Sequence, residues 1–187
     1  MRIVSGKFGG RRLSAVPGME TRPTTDKVKE SLFNIIGPYF DGGTSLDLFG
    51  GSGGLSIEAV SRGIDKAVLI DRQYAAIKTI NKNIAVTKHP ELFDIFKMDA
   101  TKALSVLAKK GYTFNLIFLD PPYAKQQIVK DLTIMHENGL LEDDALVVAE
   151  TDEAANLPTE DWGQFTFIKQ QNYGITYLTL YRYKKER

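Results

Sequence analysis

Four successive apolar runs in this 187-residue chain stop on, or just past, an aspartate, and an amphipathic stretch follows each. The runs are residues 45–49, which contain Asp47, then 67–70 before Asp71, 93–98 before Asp99, and 114–119 before Asp120. Their length and their branched and aromatic residues predict buried strands, and the 3.6-residue periodicity between them predicts helices. Helices are expected around residues 57–60, ending near Gly63, and over 74–85, 103–109 and 126–137, with a fifth strand at 145–149. Parallel strands need crossover connections, so this alternation predicts an α/β fold with a mostly parallel sheet covered on both faces. Two last apolar segments, 165–168 and 175–181, flank Asn172-Tyr173-Gly174 and predict an antiparallel hairpin that closes the sheet. Ligands of such sheets sit beyond the carboxyl ends of the strands. Acids repeated along that rim therefore point to a site.

Upstream the texture differs. Ile3-Val4-Ser5 and Arg11-Arg12-Leu13 surround Gly6 and Gly9-Gly10, the pattern of a hairpin or extended arm. Thr24-Thr25-Asp26 then precedes Val28, Leu32, Phe33, Ile35 and Ile36, a helix with a polar start that Gly37-Pro38 ends. Several chemistries fall away on composition. There is no cysteine, hence no disulfide, thiolate nucleophile or cysteine-held metal, and the two histidines, His89 and His136, lack ligand spacing. No metal is expected. Nor is any apolar run long enough to span a bilayer, so a cytoplasmic protein without a membrane partner is expected. Net charge is only +1, but cations outnumber acids before Asn34 and in the tail that ends at Arg187. Localised basic surface suits a phosphate backbone, and it equally suits a solvated terminus.

The loop Asp47-Leu48-Phe49-Gly50-Gly51-Ser52-Gly53-Gly54 joins the first strand to its helix, and its glycines let the backbone turn sharply against a ligand. A phosphate-binding Gly-Lys-Ser/Thr is missing. The dinucleotide pattern fails as well, because Ser56 stands at its third glycine. Asp71 occupies the position where an acid accepts hydrogen bonds from ribose hydroxyls. Asp99 is placed to bond an adenine amino group, and Asp47 to hold the ammonium of an amino-acid moiety. A carboxylate there helps an ammonium and hinders a pyrophosphate. The pocket therefore favours S-adenosylmethionine, with S-adenosylhomocysteine as product, over a nicotinamide dinucleotide. Gly50, Gly51, Ser52, Gly53 and the residues after two of the acids, Arg72 and Ala100, complete the expected cofactor site.

Asp120-Pro121-Pro122-Tyr123 is the most specific feature. Prolines fix their backbone and donate no hydrogen bond, so a rigid turn presents a carbonyl outward. That carbonyl and the Asp120 carboxylate are expected to accept the two hydrogens of an exocyclic amine, which aims its lone pair at a sulfonium methyl. Tyr123 offers a flat face for a base, a contact worth roughly 1–3 kcal/mol.

Together these residues resemble the class I S-adenosylmethionine-dependent methyltransferases with an Asn/Asp-Pro-Pro-Tyr/Phe motif, and more narrowly the RsmD family. The narrower resemblance rests on residues 2–7, on residues 10–13, and on Arg22-Pro23-Thr24-Thr25-Asp26-Lys27-Val28 with the residues through Asn34. It continues in residues 47–53, in residues 58–63 and in the tetrapeptide. It implies a Rossmann-like sheet of seven strands with the last hairpin reversed. It also implies methylation of the N2 amino group of a guanine in 16S rRNA, within an assembled or assembling small ribosomal subunit. Residues 1–20 would form an RNA-contacting hairpin or arm and 21–187 the methyltransferase domain. Lys7, Arg11 and Arg12 would grip phosphates, while Arg22, Thr24 and Asp26 would border the methionine end of the cofactor and the incoming base. Helix capping accounts equally well for Thr24 or Asp26. Gly51 and Gly54 stand where the family usually has alanine, and Lys29 where arginine is usual, without the planar fork a bidentate phosphate contact needs. Trp162 and Tyr173 read as packing residues. Three other readings remain at this stage: a DNA adenine or cytosine amino-methyltransferase, a non-catalytic RNA-binding module, and a small NAD-dependent oxidoreductase.

Overall fold

In the computed structural model residues 1–18 and 25–186 are described. The elements are α1 (Asp26–Ile36), β1 (Thr44–Asp47), α2 (Gly54–Ser61), β2 (Lys66–Asp71), α3 (Tyr74–Thr87) and β3 (Phe93–Lys97). After these come α4 (Ala100–Lys109), β4 (Phe114–Leu119), α5 (Ile128–Glu137), β5 (Leu141–Thr151), β6 (Phe165–Tyr173) and β7 (Thr176–Tyr183). The strands form one sheet in the order β3-β2-β1-β4-β5-β7-β6. The first five are parallel and β7 runs antiparallel to both its neighbours. Strand order reverses between β1 and β4, so their carboxyl ends flank the crevice where such sheets take ligands.

Alternation along each strand builds two cores. On β4, Ile117 and Leu119 join Leu48, Leu104, Leu107, Leu132 and Met135 beneath α4 and α5. Leu116 and Phe118 face the other way and meet Leu32, Phe33, Ile57, Ile80 and Val148, beneath α1, α2 and α3. Phe165 stacks on Trp162 with ring centroids 4.6 Å apart, the packing role read from the sequence.

The arm is a short hairpin. Arg2 and Arg12 form an antiparallel bridge, the Ile3 amide donates to the Arg11 carbonyl (2.9 Å), and the Gly10 amide donates to the Ile3 carbonyl (2.8 Å). Ile3, Phe8 and Leu13 are buried in the second core. Glu58 of α2, fully buried, fastens the arm: its carboxylate accepts the amides of Val4 (2.8 Å) and Ser5 (3.1 Å) and pairs with Lys29 (3.3 Å) and Arg62 (2.8 Å). Burial lowers the Lys29 pKa from its ordinary value, and the facing Glu58 carboxylate opposes that shift. Lys29 also donates to the Arg2 carbonyl at 2.6 Å. The ammonium at position 29, where the sequence reading left a phosphate contact in doubt, is an internal clasp.

Several helices differ by a few residues from the sequence reading, and so do three strand boundaries. Asp47 ends β1 and does not lie inside it. β5 is longer than residues 145–149, because its exposed start, Glu142-Asp143-Asp144, carries no apolar signal. The last turn is Gly174-Ile175 alone: Tyr173 pairs with Thr176, and Gly174 takes a φ of 77°.

Candidate active site

The parallel strands deliver the rim acids to one edge. Beyond β1, the Gly50 amide donates to the Ile70 carbonyl (2.7 Å), which draws the loop against β2. Gly51 and Gly53 take φ values of 58° and 83°, a region side chains disfavour, and Gly53 caps α2. Asp71 fixes the loop from the side. One carboxylate oxygen accepts the Gly51 amide (3.0 Å) and the other the Gln73 amide (2.9 Å). Each oxygen keeps a second lone pair for a ligand. Arg72 follows it, exposed.

Asn83 of α3 holds the loop from behind. Its buried amide donates to the Ser52 carbonyl (2.8 Å) and the Ser14 carbonyl (2.9 Å) and accepts the Ser14 amide (2.8 Å). Asp99 occupies the cap position of α4 without making a capping hydrogen bond, so its carboxylate is available at the rim beside Ala100.

Asp47 is 4% exposed and accepts the Phe49 amide at 3.1 Å. Burial, and then the charges of Asp71 and Glu150, push its pKa up to about 7, against the lowering effect of that amide. None of the described residues forms an ion pair with it. Asp120 is open to solvent yet surrounded by protein, as in a recess. Desolvation, then the Glu150 and Asp47 carboxylates, then a hydrogen bond with Glu150 raise its pKa well above the ordinary carboxylate range.

Pro121 is buried and Pro122 exposed. The Pro122 carbonyl accepts the Lys125 amide (3.0 Å). Tyr123 is 38% exposed and hydrogen-bonds Thr176, so the β6–β7 tip braces it. The rim thus brings Asp47, Gly50, Gly51, Ser52, Gly53, Asp71, Asp99 and Asp120 to Tyr123 to one edge. Sequence reasoning missed Glu150. The signal was present, since Glu150 directly follows the fifth apolar run as the aspartates follow the others.

Two of the basic residues expected at the substrate, Lys7 and Arg11, lie away from the rim. The Lys7 amide donates to the carbonyl of Ser61, the last residue of α2, and Arg11 donates to the Val86 and Thr87 carbonyls at the end of α3 (both 3.0 Å). Both helices start at the rim, so Lys7 and Arg11 sit at their far ends. Arg12 is exposed opposite Arg2. Thr25 caps α1, its hydroxyl accepting the Val28 amide (3.2 Å), and Asp26 binds the Arg2 amide (3.1 Å). Arg22 and Thr24 lie outside the described residues.

A sheet of this order, with a glycine turn after β1 and an Asp-Pro-Pro-Tyr turn after β4, defines a class I S-adenosylmethionine-dependent methyltransferase. Beyond the class, the chain belongs to the RsmD family: the model of the family described as Conserved hypothetical protein 95 matches residues 1–182. The YlbH protein of Bacillus subtilis (strain 168) is 48% identical over 97% of this chain and 98% of its own length. The ribosomal RNA small subunit methyltransferase D of Escherichia coli (strain K12) is 36% identical over 85% of this chain and 78% of that protein. Among solved structures, the yhhF protein of Escherichia coli superposes with a TM-score of 0.82 at 32% identity, covering 100% of this chain and 99% of that one.

Proposed function

We propose that this protein transfers a methyl group from S-adenosylmethionine to the exocyclic N2 amine of a guanine in 16S rRNA of the small ribosomal subunit. The observation that carries the reading is the Asp120-Pro121-Pro122-Tyr123 turn at the end of β4, across the strand-order switch from the glycine turn of β1. The enzymatic class and an RNA substrate are supported by the relatives' names, and the guanine and its N2 amine by the family resemblance.

The pocket fits the cofactor. Asp47 is a buried carboxyl with no cationic partner among the described residues, which suits the ammonium of the methionine part. Asp71 has lone pairs for ribose hydroxyls, Asp99 for the adenine amine, and a Cβ added at Gly51 would meet no heavy atom nearer than 3.9 Å. Gly50, Ser52, Gly53, Arg72 and Ala100 line the same edge. When bound, the cofactor supplies an electrophilic sulfonium methyl.

The chain's own part is positioning. Asp120 and the Pro121 carbonyl accept the two amine hydrogens and Tyr123 carries the base on its ring. Orientation of this kind contributes up to roughly 7–11 kcal/mol. Positive charge grows on the nitrogen as it attacks, and the Asp120–Glu150 carboxyl pair offsets it. The departing proton passes to that pair and then to water. An exposed target nucleotide or one turned out of its stack is required. Residues 1–20, with Lys7, Arg11 and Arg12, and the segment holding Arg22, Thr24 and Asp26, form the arm and border that meet the RNA.

The test is incubation with radiolabelled S-adenosylmethionine and undermethylated small subunits, beside naked rRNA and duplex DNA. Label recovered as N2-methylguanine in wild type and absent with Asp120→Ala is the expected result. Label in DNA, or in N6-methyladenine, refutes the substrate.

A further inference from the structure

Lys7 and Arg11 stand at the far ends of α2 and α3 and leave the strand that carries the target base without their hold beside the rim. A groove of ≈ 510 Å³ between α1 and β6 is placed to provide it. Its lining includes Lys27, Ser31 and Asn34 from α1 and Lys169, Gln171 and Tyr173 from β6. β6 runs toward the rim, so Tyr173 brings the groove's upper end to the site. It pairs with Thr176, and Thr176 hydrogen-bonds the Tyr123 expected under the base. The groove floor is closed there by a hydrogen bond between the Tyr173 and Ser31 hydroxyls (2.8 Å). Lys27, one helical turn before Ser31, and Lys169, four residues before Tyr173, are exposed toward opposite ends of the groove, and neither has an ion-pair partner among the described residues. The amides of Asn34 and Gln171 line the same groove. Glu30 is the one acid of the lining.

We propose that this groove is a phosphate track for single-stranded RNA flanking the target nucleotide, with Lys27 and Lys169 as its two charged contacts. The inference rests on the RNA-methylating reading above. A cation toward each end of the groove, with donors along it, matches the backbone of one strand, whose phosphates carry charge but no base identity. A track that starts at the base-stacking tyrosine lets the flanking nucleotide leave the recess without reversing direction. The groove is open along its length, which suits a strand and not a compact enclosed ligand.

The test is binding and methylation by the full chain carrying Lys27→Gln with Lys169→Gln. Both side chains are exposed, so unchanged thermal unfolding and an unchanged dissociation constant for S-adenosylmethionine are the folding controls. Affinity for a single-stranded RNA probe and for undermethylated subunits is measured against salt. Each lost phosphate contact lowers the slope of log affinity on log salt by about 0.7. The double variant is expected to bind RNA severalfold more weakly, with the slope lower by about 1.4, and to raise KM for RNA with kcat unchanged. Wild-type RNA binding and methylation with no change of slope in the variant overturns the track and leaves the enzymatic reading standing. A wild type that neither binds nor methylates RNA overturns that reading, and the track with it. An equal loss with duplex DNA as probe also overturns the assignment to single-stranded RNA.

Discussion

Replacing Asp47 by asparagine is expected to stabilise the free protein at neutral and alkaline pH while destroying its use of the cofactor. The carboxyl is 4% exposed, and its pKa stands at about 7 where 3.8 is ordinary. The folded state therefore holds a proton that the unfolded state gives up, and stability falls as pH rises between those two values. At about 1.36 kcal/mol per pH unit, the full displacement corresponds to about 4 kcal/mol, and the accessible window from pH 5 to 8 to about 3 kcal/mol. Because the side chain is buried, solvent screening removes little of this. Asparagine does not titrate, still accepts the Phe49 amide, and meets Asp71 and Glu150 without charge repulsion. Urea unfolding of both proteins at pH 5, 6, 7 and 8 measures the effect. The wild type should lose stability relative to Asp47→Asn across the series, and calorimetry should show cofactor affinity largely gone in the variant. Parallel stability curves would refute the reasoning, because the carboxyl would then carry its charge at no cost. Cofactor binding should also release protons from the wild type near pH 7, since an ammonium partner favours ionised Asp47.

Other outcomes follow from the same geometry. Methyl transfer should rise with pH through the raised Asp120 pKa, since only the ionised carboxylate accepts from the amine, and a pH–rate profile tests this. Asp120→Ala should cost at least about 10²-fold in kcat with cofactor affinity retained, as loss of orientation predicts. Glu58→Ala should destabilise the fold by about 3–5 kcal/mol, because it strands the buried Lys29 and the Arg62 beside it; chemical denaturation measures it. Gly51→Ala should cost about 1 kcal/mol for the left-handed backbone and leave cofactor affinity within a fewfold, read by unfolding and calorimetry.

The sheet was legible because the inner parallel strands are largely buried on both faces and so write apolar runs ending where the rim begins. β4 illustrates this, its bounds matching residues 114–119. β5 was underread at both ends. Its first residues are exposed acids beside the tail, and Glu150 counts as a surface residue until its neighbours across the sheet are known. The arm's form was readable from its glycines, but its destination was not. In one dimension Lys29 and Arg11 are simply two cations near the amino terminus. Only packing shows that one pairs with a buried Glu58 and that the other caps the last carbonyls of α3. Charge along a chain records how many cations there are, whereas their partners depend on contacts between residues 29 positions apart, as for Lys29 and Glu58, or 75 and 76 apart, as for Arg11.

One buried amide, that of Asn83, is bonded at once to the returning strand of the arm and to the glycine turn. Opening either one leaves the buried Asn83 amide with unmet hydrogen bonds, a cost that couples the two against solvent. The arm's buried backbone amides and that of Gly51 should then exchange their hydrogens with a shared opening free energy, and a ligand seated on the turn should slow exchange in the arm it never touches.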